Sequence, residues 1–147
     1  MTVLAWLALS CYLLTFLLVA LFALAYLKRT EFMPYHRAAV ARDWRDIDEP
    51  MRLLLLALIK VVGAAWLAAA VAGFLSLYLL FSRPGVAWQL WLFQGFCLLT
   101  VVPPIAVAAH LRRRTKAPTP LSLGAVMVLF SLAGFVLSLS SGHFRTG

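Results

Sequence analysis

The chain has 147 residues, of which 64% are hydrophobic and only 12% charged, and its mean hydropathy is +0.95. Water-soluble domains run at about 45–50% apolar and about 25% charged, and a small one has a large surface to coat with polar groups. That balance excludes a soluble enzyme, a nucleic-acid-binding domain and a disordered tail. The net charge of +8 does not restore nucleic acid as a partner, because the basic residues sit between apolar runs, where charge orients a membrane protein and meets headgroups.

The first apolar run covers Val3–Leu27. Spanning the hydrocarbon core takes about 20 apolar residues in a helix, which satisfies every backbone group internally. No Lys or Arg precedes Lys28, and the run is longer than the about 7–15 residues of a signal-peptide core, so it reads as a retained span.

Residues 28–52 form the one substantial connection and carry all five acids, Glu31, Asp43, Asp46, Asp48 and Glu49. Pro34 can open a helix. His36, Val40, Trp44 and Ile47 then follow at spacings of 4, 4 and 3, one helical face. The pattern predicts a short amphipathic helix lying on the leaflet, with Trp44 as its interfacial anchor. Pro50 then opens the second span, with Asp48 or Glu49 as N-cap.

The second run covers residues 53–81, interrupted only by Lys60. A charge inside a span is a functional candidate by default. Lys60 lies eight residues past Arg52, about 12 Å along a helix, so its long side chain can also snorkel back to the headgroups. Lys60 therefore either snorkels or binds an anion or a loop carboxylate. Ala65, Ala69 and Gly73 recur every four residues, as do Gly134 and Ser138 in the last run, with Ser131 one turn earlier. Such spacing permits close helix approach, within the chain or between chains.

A tight turn at Pro84-Gly85 leads into the third run, residues 86–109. Gln94 there suits an interhelical hydrogen bond. Pro103 and Pro104 kink the helix, which either shapes packing or marks a hinge at a substrate site. The connection 110–120 holds Arg112, Arg113, Arg114 and Lys116, and the fourth run covers residues 121–141. Trp6, Tyr26, Tyr78, Trp88 and Trp91 lie near the ends of the runs, as an aromatic belt requires.

The segment Thr30-Glu31-Phe32-Met33-Pro34-Tyr35-His36, the downstream Trp44, and the stretch Leu53 to Ala72 with Lys60 and Gly63 resemble small uncharacterised bacterial four-helix membrane proteins. The likeness covers about a third of the chain. It implies a bacterial cytoplasmic membrane and transfers no activity.

Orientation follows from the Lys and Arg count. Ten lie in the connections 28–52 and 110–120, against Arg83 and Arg145 on the other side. Both basic connections are therefore expected in the cytoplasm and both termini outside.

Chemistry-bearing patterns are scarce. His36 and His110 share the basic side and are weak candidates for a metal or redox site, although zinc sites show more ligands at tighter spacing. No histidine lies mid-span to hold a haem. Cys11 and Cys97 sit inside apolar runs without C-x-x-C spacing. The chain contains no Asn, no P-loop, no H-E-x-x-H and no G-x-S-x-G. The sequence thus predicts one all-α integral membrane domain over residues 1–147, a bundle of four transmembrane helices with a short interfacial helix. It reads as a non-enzymatic scaffold or accessory subunit with no catalytic residue and no cofactor. Its surroundings would be the lipid bilayer and a membrane-protein partner or second copy. The alternatives are an oligomeric transporter or channel using Lys60 and the Pro103-Pro104 kink, and a metal or redox protein using His36 and His110.

Overall fold

The computed structural model describes residues 1–145. Its helices are α1 (Val3–Leu27), α2 (Pro34–Val40), α3 (Glu49–Phe81), α4 (Ala87–Thr115) and α5 (Leu121–Ser140). All but α2 are long and apolar enough to cross a membrane. The fold is therefore an all-α four-span bundle with a short helix between the first two spans. Helices α3 and α4 outrun their apolar stretches. At 33 residues α3 is about 50 Å long, well beyond a hydrocarbon core of about 30 Å, so its first turns, with Arg52, reach past the core. The last turn of α4 does the same with Arg112, Arg113 and Arg114.

The ends of these helices follow local chemistry. Thr2 caps α1 by accepting from the Ala5 N–H, and Asp48 caps α3 by accepting from the Met51 N–H, with Pro50 in the first turn. Lys116, in the left-handed conformation at φ 57°, ends α4. Thr119 then donates its hydroxyl to the Ala108 carbonyl at 3.2 Å and fastens the α4–α5 connection.

The bundle is arranged around α1, which packs along both α3 and α5, while α4 packs mainly on α5 and meets α3 only sparsely. The buried residues of α1 show why: Ala5, Ala8, Tyr12, Thr15, Phe16, Val19, Ala23 and Tyr26 recur mostly every three or four positions and form one continuous stripe. Large rings alternate with small residues on the facing helices. Tyr12 lies over Gly134 of α5, and Phe16 fills the space that Gly73 of α3 leaves open. From α1 the rings reach across to α4, with Tyr12 edge-on to Phe93 at 5.0 Å and Phe16 stacked on Phe96 at 5.8 Å. Tyr12 also donates to Gln94 Oε1 at 3.0 Å, a buried bond between α1 and α4.

The two ends of the bundle differ. At one end Thr2 Oγ1 donates to the Ser141 carbonyl at 3.1 Å. There the two-residue strands β1 (Gly85–Val86) and β2 (Phe144–Arg145) pair in parallel, and His143 stacks on Phe81 at 5.6 Å. The segment after α5 thus closes over the α3–α4 turn, a contact that hydropathy does not signal. Trp6, Tyr78, Trp88 and Trp91 are exposed around this half. The other end gathers α2 and the connections 28–48 and 116–120. Tyr26 belongs there but is buried at 9% exposure, so it is an inward residue and not part of an aromatic belt.

Two further sequence expectations need correction. The single amphipathic helix across His36 to Ile47 is broken: α2 stops at Val40, Ala41 adopts φ 53°, and a separate 3-10 turn covers Trp44–Asp46. The Asp46 carboxylate accepts from the Asp43 N–H and the Asp43 carbonyl accepts from the Asp46 N–H, which stabilises a new start and turns the chain toward α3. On α3 the inward line is Ile59, Gly63, Ala70, Gly73 and Leu77, so Ala65 is exposed and only Gly73 of the predicted small-residue stripe is buried.

A Cβ at Gly73 would lie 2.3 Å from the Phe16 ring, which Phe74, Phe93 and Phe96 hold in place. Gly73→Ala is therefore expected to lower stability by about 1–3 kcal/mol, whereas the exposed neighbour change Ala72→Leu should leave the unfolding temperature in detergent unchanged. Equal melting of both variants would contradict this packing.

Candidate functional site at the basic end of the bundle

The site is built on the last turn of α1. A helix ends with carbonyls that lack intrahelical donors and with the negative pole of its dipole. Lys60 of α3 answers the open end at Leu27: its ammonium donates to the Leu27 carbonyl oxygen. One turn further along α3, Gly63 lets the α1 backbone in, since a Cβ there would lie 3.0 Å from both Tyr26 and Leu27. Lys60 therefore joins two spans.

Helix α2 closes over the same place. The hydroxyls of Tyr26 and Tyr35 share a hydrogen bond. Pro34 fixes the first turn of α2, so Tyr35 and His36 follow at set positions on its first turn. The His36 ring lies edge-on to Tyr35 at 4.4 Å and to Tyr26 at 6.2 Å. Burial lowers the His36 pKa from its ordinary value, which keeps the imidazole neutral at pH 7. Burial raises the Tyr35 pKa, the bond with Tyr26 adds to that, and Arg29 opposes it. Trp44, half-buried, packs its ring edge-on to Phe32 at 4.7 Å.

Behind this cluster lies a cavity of about 420 Å³. Phe22 and Tyr26 of α1 and Trp66 of α3 line one side, Val101 to Leu111 of α4 another, and Leu123 to Met127 of α5 a third. Tyr35, His36 and Thr119 border it at the basic end. Pro103 and Pro104 stand in its wall. Neither proline has an N–H, so the carbonyls of Leu99 and Thr100 receive no bond from the residue four ahead.

The sequence candidates separate as follows. Lys60 is held at the end of α1, Pro103 and Pro104 border the cavity, and Gln94 lies deeper, bonded to Tyr12. His36 borders the cavity, while His110 is exposed on α4 and does not line it. Among the described residues no three His, Cys, Asp or Glu side chains come together as a metal-binding group. Sequence reasoning missed Tyr26, Tyr35, Thr119 and Trp66 as site residues. For the first two a signal existed, because Tyr-containing segments flank one short connection, but tyrosine near a span end reads first as belt.

Comparison with known protein families, with curated proteins and with solved structures finds no match to this chain. Tyr35, His36, Lys60 and Gly63 meet at Tyr26 and Leu27.

Lys60→Met keeps the length and removes the donor. It should destabilise the bundle by about 1.5 kcal/mol, the low end for a bond to a charged group because the ammonium is only half-buried. Lys60→Arg should retain most of the stability. Thermal unfolding in detergent checks both, and a Met variant as stable as the parent would remove the capping role.

Proposed function

We propose that this chain is a multi-span protein of a bacterial inner membrane that acts without catalysis, as a scaffold or accessory subunit. It would hold a second membrane subunit, or a second copy, by helix–helix packing and present residues 28–52 to the cytoplasm. The observation that supports this reading is the outer side of α3. Only 17% of its most apolar window is buried in the bundle, against 33% for α1. Ala64, Ala68 and Ala72 are exposed there at intervals of four, with Ala65 beside them. Between helices in lipid no hydrophobic drive exists, so small residues that let backbones approach are what a partner helix can use. The basic ends agree with the orientation, ten Lys and Arg on the proposed cytoplasmic side against two opposite.

The transport reading keeps one observation of its own, the cavity beside Pro103 and Pro104. Lys60, which that reading also needs, donates to Leu27.

Native mass spectrometry from a mild detergent tests the proposal. A second membrane subunit in fixed stoichiometry is expected, and Ala68→Phe should release it while the melting temperature of the chain stays the same. A monomer that passes small solutes across proteoliposomes would overturn the proposal and favour transport.

A further inference from the structure

The cavity at the basic end has features of a binding site that the accessory role does not require. Its volume of about 420 Å³ falls within the about 300–1,000 Å³ common for small-molecule sites. The inner wall is apolar and aromatic, from Phe22, Trp66, Ile105, Leu123 and Met127. The wall is interrupted where α3 and α4 barely meet. Val62 and Val107 border the cavity from those two helices and are 42% and 69% exposed, so the opening faces sideways, toward the acyl chains of the bilayer.

The polar groups are confined to one end. In the Tyr26–Tyr35 pair one hydroxyl donates to the other, which leaves one O–H proton for a further acceptor. Neutral His36 offers one N–H as well. Such uncharged donors fit ester carbonyls better than a bare charge. No charged side chain lines the cavity itself, but basic residues adjoin its lining: Arg29 acts on Tyr35, and the exposed Arg112, Arg113 and Arg114 follow Leu111 in the chain. None of the five acidic residues lines the cavity, and the one ion pair among the described residues joins Arg37 to Asp43.

We propose that this cavity takes one anionic phospholipid from the adjoining leaflet, entering sideways between α3 and α4. An acyl chain would lie along Phe22, Trp66 and Met127, the glycerol esters would meet the tyrosine pair and His36, and the phosphate would meet the arginines. The site follows from the fold and the charge pattern and does not rest on the accessory role.

The test delivers the full chain from vesicles of equal phosphatidylglycerol and phosphatidylcholine into native mass spectrometry. One retained lipid per chain is expected, with phosphatidylglycerol favoured roughly tenfold, as a few basic contacts near an anionic surface would give. Ala108→Trp, which fills the cavity from α4, should abolish retention. The triple change Arg112→Gln, Arg113→Gln and Arg114→Gln should keep one lipid but lose the preference, which guards against a misfolded Trp variant. Unchanged retention in Ala108→Trp, equal retention of both lipids by the parent, or a bound neutral isoprenoid in place of a phospholipid would each overturn the proposal.

Discussion

Water does not separate apolar helices from one another inside a bilayer, because lipid tails are as apolar as leucine. Association then depends on how closely backbones approach and on the few polar groups between them. In this chain that constraint falls on α1. Its large rings need glycines opposite them, and they have them: Phe16 against Gly73, Tyr12 against Gly134, and the Tyr26–Leu27 backbone against Gly63. Each glycine is on a helix that packs along α1. Remove these fits and α3 and α5 lose the surface that holds them, and α4, which leans mainly on α5, goes with them.

The same constraint explains the asymmetry of the two ends. Where α1, α4 and the outer segments meet, around Phe93, Phe144 and the β1–β2 pair, the interior is filled by rings. At the other end space remains: α4 meets α3 only sparsely, and Pro103 and Pro104 border the cavity there. The polar groups there answer specific needs: Lys60 for the open carbonyl of Leu27, Tyr35 for Tyr26, Thr119 for Ala108. These contacts tie a short helix and a basic connection to the spans, and together they border a volume open toward lipid.

Much of the architecture could be read from composition. Four apolar runs give four spans within a few residues, because hydrocarbon permits little besides helices. The cap at Asp48 and Pro50 was also legible, since that chemistry is local. The failures have a common cause. The α2 segment follows a helical period through Trp44 and Ile47, yet the capping pair Asp43–Asp46 and the need to return to α3 interrupt it. The stripe Ala65, Ala69, Gly73 has the right spacing, but the line that α1 selects runs through Gly63, Ala70 and Gly73. In an Ala-rich helix spacing alone does not choose between these lines. Lys60 was conspicuous as a charge in a span, but its acceptor is a backbone carbonyl 33 residues earlier, which no side-chain pattern reveals.

Both basic connections lie together at one end of the four-span bundle, the cytoplasmic end in the proposed orientation, and Thr2 with residues 141–145 closes the other. Reporter fusions in bacterial cells read this arrangement, one at the C-terminus and one inserted at Lys116 in the α4–α5 connection. A reporter active only outside the cytoplasm is expected to work at the C-terminus and to fail at Lys116. Activity at Lys116, or a silent C-terminal reporter on a stably inserted chain, would contradict it.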